Sequence, residues 1–474
     1  MSKSRVIKTS LLLLLSSAAA PAMAADMDVY GNPPPPPQPS CCAPPQASDS
    51  AYPVTDGGYG AGAADWQSAV VVPQQPLSGG PDAPESPHLR RAASESPYDV
   101  NGYDDGAITL KPTLQIGTIY SNNVNLTHDN RKSDVGVELR PSFTWDTKWP
   151  VNNWSGGIYA DVQRFSDTPE ANRITGAGET TYRVDIRRDT YAEFGANFAV
   201  TADNPGSADV PSDATEARQD IGIGASAGIA HDFGWFQGKA TLGVTRANFT
   251  NVHLSGGGIE QNSDMNYTSP TIILRGTIGS NGARVRPYAQ ISYDWRLHDE
   301  YFDRNGLRRD SQGFGAALGL VLNDGPIWSG DIAAVMMYRH FEDASLTDAL
   351  VPGVAATINW SPMPLWTIVA NTGVAVNDSN VSGISSSALW TGGLTATYAV
   401  RDNVNLRAGA SMTVGTDDSG SGVDIGNIVQ AGADWQVNPH MVFSGTLQST
   451  WYHAPDETAS YDEQRAFVGV TLKP

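Results

Sequence analysis

Residues 107–474 form short runs in which apolar and polar side chains alternate, and turn-forming residues separate the runs. In the run 284–298, one face carries Val285, Ala289, Ile291, Tyr293, Trp295 and Leu297. The other face carries Arg284, Arg286, Gln290, Ser292, Asp294, Arg296 and His298. A period of two predicts β-strands with two unlike faces. The pattern therefore predicts an all-β chain.

The connections between these runs alternate between long polar segments and tight turns. The long ones are 121–133, 202–219, 250–265, 298–309, 342–346, 377–385, 416–422 and 454–460. The tight ones are 148–152, 188–189, 232–234, 280–282, 323–326, 361–364, 401–403 and 438–440. An antiparallel sheet that separates two aqueous compartments has this asymmetry. We therefore predict an outer-membrane antiparallel β-barrel of about 18 strands, with both termini on the periplasmic side.

Charged rows on these strands cannot face lipid, so we expect them to face an enclosed polar lumen. Rings of charged side chains set solute selectivity in pores. The alternative is that these charges pair with one another and brace the wall. The candidates for pore-lining residues that set charge selectivity are Arg183, Asp185, Arg187, Arg284, Arg286, Asp294 and Arg296.

Most tryptophans fall near the ends of the predicted strands. Trp145, Trp149, Trp154, Trp235, Trp328, Trp360, Trp366 and Trp435 lie close to tight turns, and Trp295, Trp390 and Trp451 lie toward long connections. Aromatic rings with a polar atom prefer the headgroup region and form belts at both membrane interfaces. A soluble core would scatter them along the strands, so this distribution favours a membrane-spanning barrel.

The first 106 residues differ from the rest of the chain. Residues 1–24 have a basic start, an apolar stretch and a small-residue cleavage site, which predicts a secretory signal. Residues 25–106 are rich in Pro, Gly, Ala and Ser and predict a disordered periplasmic arm, either a spacer or a tether to peptidoglycan. The adjacent Cys41 and Cys42 lie in this arm and can pair with each other only in a strained geometry. The barrel domain is then 107–474.

Composition agrees with an exported barrel. The chain has 48 glycines, 17% charged residues and a net charge of −20, which argues against nucleic acid as a partner. The expected partners are outer-membrane lipid and lipopolysaccharide, together with polysaccharide-export or peptidoglycan-associated proteins of the periplasm. We expect no cofactor.

Signals for catalysis or metal binding are weak. Residues 224–228 match a G-x-S-x-G motif, but this motif needs a strand-to-helix turn and here it lies inside a predicted strand. His298 is followed by Asp299 and Glu300, yet no serine partner can be placed, and the histidines lack metal-ligand spacing. We expect no enzyme and no metal site. The acidic segments 202–218 and 297–311 either bind divalent cations or form solvated loops.

Three stretches carry a resemblance to a known family. They read YDWR at 293–296 followed by DRNGLRRDSQGF at 303–314, YRVDIRRDT at 182–190, and ATINWSP at 356–362. Over roughly residues 107–474 the chain resembles the Putative beta-barrel porin 2 family of proteobacterial outer membranes. The resemblance implies an outer-membrane barrel, and because some relatives accompany polysaccharide-export systems, it implies a glycan exit as one role.

Two functional hypotheses follow from these observations. The first is a transport pore, either for hydrophilic solutes or as the outer-membrane exit of an exported polysaccharide. The second is a structural barrel that displays surface loops and tethers the envelope through its N-terminal arm.

Overall fold

The computed structural model describes residues 102–474, with the exception of 150, 204–213, 281, 325–326, 379–383, 419–421, 456 and 458–459. The predicted signal sequence, nearly all of the predicted arm, and both cysteines lie outside the described residues. In the described part of the chain, no helix has the length and apolar character needed to cross a membrane.

Eighteen long strands follow one another around a closed antiparallel sheet. They are β1 (Ile108–Ser121), β2 (Asp134–Thr147), β3 (Asn153–Phe165), β4 (Arg173–Arg187), β5 (Thr190–Asp203), β6 (Arg218–Asp232), β7 (Phe236–Phe249), β8 (Tyr267–Ile278), β9 (Val285–His298), β10 (Ser311–Asp324), β11 (Trp328–Phe341), β12 (Ala349–Trp360), β13 (Trp366–Asp378), β14 (Ser386–Arg401), β15 (Val404–Asp417), β16 (Val423–Asn438), β17 (Met441–His453) and β18 (Tyr461–Leu472).

The ring closes where β1 pairs with β18, from Leu114 opposite Leu472 to Ser121 opposite Arg465. The prediction of an eighteen-strand antiparallel barrel is confirmed. The smaller elements are the strands Tyr103–Asp104, Val252–His253 and Ile259–Glu260 and the 3-10 turns Pro169–Ala171 and Ser263–Met265.

Long and short connections alternate as the sequence predicts, with one addition. Residues 166–172 form a further long connection, between β3 and β4, which the sequence pattern did not reveal. The 3-10 turn Pro169–Ala171 occupies the middle of this connection.

The two faces of the sheet differ as a membrane-spanning wall requires. Large apolar side chains are exposed on the outer face, including Leu242, Leu318, Leu447 and Val468 at 61–69%. On a soluble protein so much exposed apolar surface would promote association. Around a barrel the same band contacts the hydrocarbon of the bilayer.

Aromatic rings gather on the outer face near the short turns. Trp328 and Trp360 are register partners that stack with their centroids 5.1 Å apart. Trp145 and Trp154 lie 5.7 Å apart on β2 and β3. This placement agrees with the predicted aromatic belt at one membrane interface.

Among the described residues, the wall is split at one place, between β12 and β13. These strands pair only from Ala356 opposite Thr372 to Trp360 opposite Ile368, which is the half near the short turn. Toward the long loops β12 remains paired with β11 up to Ala349, and β13 remains paired with β14 up to Asp378. The two halves of the wall therefore separate at this point.

Beyond the split, residues 373–378 of β13 and 386–390 of β14 lie inside the neighbouring wall. A Cβ placed on the inner face of Gly353 in β12 would lie 2.7 Å from a methyl carbon of Val374 in β13. Ala375 and Val376 are consecutive residues and both are buried, at 5% and 1% exposure. In a single-layered wall one of the two would face lipid, so this segment is covered on both faces. We call the two strand segments 373–378 and 386–390 the overlap.

Candidate functional site: the inner wall of the barrel

Inward-facing side chains lie along the wall because glycines on adjacent strands make room for them. Three glycines of β10 face inward and are covered by side chains of β9. A Cβ on Gly319 would lie 2.6 Å from the ring of Tyr288, and Cβ atoms on Gly313 and Gly315 would collide with Asp294 and Ser292. These side chains of β9 therefore lie flat against β10.

The first group of candidate selectivity residues lies at the short-turn end of β4. The Nε of Arg183 donates to Asp185 at 2.8 Å, and its guanidinium lies 3.9 Å from the ring centroid of Tyr191. Both partners of this ion pair keep about a third of their side-chain surface exposed. Arg187, the last residue of the strand, is exposed.

The second group lies at the same end of the barrel, on β9. Arg284 directly precedes the strand and is exposed, and its carbonyl accepts a hydrogen bond from the backbone of Asn323 at 2.7 Å. Arg286 is buried at 2% exposure, and its Cγ would lie 3.4 Å from a Cβ on Gly279. Of this pair, only Arg284 is exposed.

The third group lies at the long-loop end of β9. Asp294 accepts a hydrogen bond from Arg339 of β11 at 2.7 Å. Arg296 is 3% exposed and donates to Asp378 at 2.8 Å and to the carbonyl of Val376 at 2.7 Å. Arg296 therefore attaches the overlap to the wall. Whether any of the seven candidates sets charge selectivity stays a prediction.

Sequence reasoning did not connect Arg309, His298 and Asp378, which complete this third group. Arg309 donates to the carbonyls of Ile384 and Ser385, at 3.0 and 3.1 Å, and to Asp303 at 2.9 Å. The imidazole of His298 lies 3.7 Å from Asp378. Asp378 occupies a position on the outer, apolar face of β13. The sequence pattern assigned Asp378 to the long connection 377–385, where a charge is ordinary, so it gave no signal.

Several buried polar atoms in this group have no hydrogen-bond partner in the described structure. They are Arg296 Nε, His298 Nδ1, Arg309 Nη2, Arg339 Nε and Asp378 Oδ2. An unmet buried donor or acceptor costs roughly 1–3 kcal/mol. The contact between the overlap and the wall therefore contains several charged groups, but some of their buried donors and acceptors have no hydrogen-bond partner.

The acidic long loops are cross-linked by arginines. Arg304 in the loop after β9 donates to Asp264 in the loop before β8 at 2.8 and 2.9 Å, and it also contacts Glu260. Burial alone would raise the pKa of the Asp264 carboxyl, but its hydrogen bonds with Arg304 and the positive charge outweigh burial and lower that pKa. Asp299 pairs with Arg246 at 2.5 Å. Of the acidic side chains in the described loop 299–310, Asp299, Asp303 and Asp310 contact arginines, while Glu300 accepts a hydrogen bond from the hydroxyl of Ser263.

The motif at 224–228 lies inside β6, as the sequence predicts, and makes no strand-to-helix turn. Gly224 and Gly228 face the lumen beside Asn197 and Thr241 of the adjacent strands. Within the described residues, no group of three or more His, Cys, Asp and Glu side chains is arranged to hold a metal ion.

The geometry described so far defines an outer-membrane β-barrel with an apolar exterior and a polar interior. The family model described as Putative beta-barrel porin 2 matches residues 96–474. The chain therefore belongs to this family, and the resemblance seen in the sequence is confirmed.

Solved structures with similar barrels are distant. The outer membrane protein OpdK of Pseudomonas aeruginosa is 10% identical, with 77% of this chain and 99% of that chain covered and a TM-score of 0.39. The siderophore receptor PirA of Acinetobacter baumannii is 7% identical, with 79% and 81% covered and a TM-score of 0.36. Similarities this low say nothing about what this barrel carries. No curated protein matches the chain.

Proposed function

We propose that this barrel is a passive pore for small hydrophilic solutes. The observation that carries the proposal is the inner wall, where polar side chains lie flat over the glycines of adjacent strands. Barrels of 16–18 strands enclose an aqueous channel unless protein fills it. Water and small polar solutes then cross the membrane through the lumen, whereas the hydrocarbon around the barrel excludes them.

The orientation follows from the asymmetry of the connections. Single-chain bacterial barrels place short turns in the periplasm and long loops outside the cell. In this orientation both ends of the barrel domain, and the arm 25–106, are periplasmic. The long loops then contact lipopolysaccharide, while polysaccharide-export or peptidoglycan-associated proteins are the candidate partners of the arm.

Solute charge is discriminated near the periplasmic opening, where Arg183, Arg187 and Arg284 retain solvent access. Cations at this opening attract anions and slow the entry of cations. Arg286 and Arg296 act through packing, because both are buried.

The test is reconstitution of the full-length mature protein in a planar lipid bilayer. Discrete conductance steps that grow in proportion to salt concentration are the expected result. A fully inserted barrel, shown by its resistance to urea and protease, that produces no steps would overturn the pore.

The glycan exit uses the same lumen and differs in the solute. Linear acidic or neutral oligosaccharides added to the periplasmic side should then block the conductance transiently, with dwell times that lengthen with chain length. Absence of such blocks restricts the pore to small solutes.

The structural alternative draws support from the loop cross-links around Arg304, which make the outer surface stiff. It predicts an inserted barrel without conductance.

A further inference from the structure

The overlap brings together residues that a single-layered wall would keep apart. From β9 to β13 there are four strand intervals, or about 19 Å along the sheet. Arg296 of β9 nevertheless donates to Asp378 of β13 at 2.8 Å. The outward face of β13 therefore rests on the inward face of β9–β12, and the barrel wall is double over this sector.

Beyond the split, the edge of β12 does not pair with the backbone of β13. Pro352 lies on this edge and has no N–H group that would need an acceptor. Its carbonyl accepts a hydrogen bond from the indole Nε1 of Trp390 at 3.0 Å. The neighbouring carbonyl of Val354 lies 3.5 Å from the hydroxyl of Thr372. Side chains thus replace the ladder of backbone hydrogen bonds at this edge, so separation breaks few bonds.

Part of the inward wall next to the overlap is apolar. Tyr288, Ala317, Val321, Ala333 and Val335 form a buried cluster on β9, β10 and β11, and Ala355 and Val374 pack against it. Next to this cluster, at the long-loop end, lie Arg296 and Arg339, each with an Nε donor that has no hydrogen-bond partner. An apolar surface beside unmet cationic donors matches a molecule with an alkyl tail and an anionic head.

We infer that the seam between β12 and β13 is a lateral opening through which single-chain anionic amphiphiles pass between the lumen and the surrounding lipid. When the overlap moves away from the wall, the tail lies on the apolar cluster and the head approaches Arg296 and Arg339. The ion pair between Arg296 and Asp378 holds the seam closed. This route is separate from the passage of hydrophilic solutes along the axis of the barrel.

A disulfide across the seam tests the opening. The change is Gly353→Cys with Val374→Cys in the full-length chain, whose own Cys41 and Cys42 are replaced by serine. Ala356→Cys with Thr372→Cys is the matched control, because these residues already face each other in the paired half of the seam. Uptake of radiolabelled laurate is measured in Gram-negative cells that lack their own fatty-acid uptake barrel.

Oxidation of the cysteine pair at positions 353 and 374 should reduce laurate uptake about tenfold, because the disulfide holds the seam closed. Reduction of the disulfide should restore the uptake. The control pair should change nothing, and the neutral analogue dodecanol should enter equally with or without the lock. Unchanged laurate uptake with the disulfide demonstrated by mass spectrometry would overturn the inference.

Gly353 is closely packed, so a second variant keeps the test decisive if the cysteine pair does not fold. Asp378→Asn removes the counter-charge of Arg296 and should raise laurate uptake about tenfold by favouring the open seam. Asp104→Asn, which breaks the ion pair with Lys148 at the opposite end of the barrel, is its control. No increase with Asp378→Asn in a normally inserted barrel would sink the lateral route. Bilayer conductance, measured separately, decides the axial pore.

Discussion

Arg304 and Asp264 join two long loops, with the guanidinium Nε 2.8 Å from one carboxylate oxygen and Nη2 2.9 Å from the other. Arg304 also donates to the carbonyl of Gln261 and to the side chain of Asn262, at 2.7 and 3.0 Å. The loop 299–310 reaches the next loop too, because Arg308 contacts Glu342 at 2.6 Å. Three long loops on this side of the barrel are thereby held in one arrangement.

Removing this arginine should loosen both loops that it joins. For Arg304→Gln we expect amide exchange in residues 260–266 to accelerate by about tenfold to a hundredfold, the equivalent of losing roughly 1–3 kcal/mol of local stability. Arg131→Gln is the control, because its ion pair with Asp462 is exposed and such pairs contribute little. Hydrogen–deuterium exchange with mass spectrometry measures both variants. Equal exchange in the two would show that Arg304 is dispensable.

The same contact should respond to acid. The pKa of Asp264 is lowered from its usual 3.8: burial opposes this shift, but the hydrogen bonds and charge of Arg304 outweigh it. A carboxyl with a depressed folded pKa stabilises the fold above its unfolded pKa, and the contribution is lost as pH falls through the folded value. Exchange protection of residues 260–266 should therefore be constant above about pH 5 and decline below pH 3.8. In Arg304→Gln this decline should be absent.

Glycine at position 319 should be required for the wall to pack. An alanine Cβ there would lie 2.5 Å from the carbonyl oxygen of Ile332 and 2.6 Å from the ring of Tyr288. Gly319→Ala should lower the free energy of unfolding by about 1–3 kcal/mol, as overpacking does. Gly222→Ala is the control, because a Cβ at that position meets nothing within 4 Å. Urea unfolding in lipid vesicles gives both values, and equal stability would refute the packing account.

Neutralising the exposed cations near the short-turn end should shift ion selectivity. The double change Arg187→Gln with Arg284→Gln removes two positive charges at that opening, so the anion-to-cation permeability ratio should fall about two- to fivefold at low salt, where screening is weak. Arg164→Gln, on the outer face near the long loops, should leave the ratio unchanged. Reversal potentials in a salt gradient measure the ratio. An unaltered ratio in the double variant would remove these arginines as selectivity residues.

Deleting residues 25–100 should leave the pore intact. The deletion keeps the strand Tyr103–Asp104, which pairs with β1, and the ion pair between Asp104 and Lys148. Conductance should equal that of the full chain, and sedimentation with purified peptidoglycan should also be unchanged if the arm is a spacer. Loss of sedimentation with unchanged conductance would instead identify the arm as a tether.

Alternation along the chain was enough to predict most of the wall. In β9 each inward position assigned from the sequence, from Arg286 to Arg296, lies on the inner face. The connection 166–172 was missed, although Ser166, Asp167 and Pro169 are turn-forming residues like those that mark the other connections. The role of Arg296 escaped notice because its partner Asp378 belongs to a strand that is not its neighbour in the sheet.

The sequence by itself determined that the chain forms strands with one apolar and one polar face, and that about 18 of them form an antiparallel barrel. Successive side chains of an extended backbone point to opposite sides of the sheet. The side that a residue occupies is therefore a local property of the chain. Only the tertiary structure decided where the wall divides, which charges are enclosed by the overlap, and which loops are joined. Those outcomes depend on contacts between strands and loops far apart in the chain, and local alternation carries no record of such contacts.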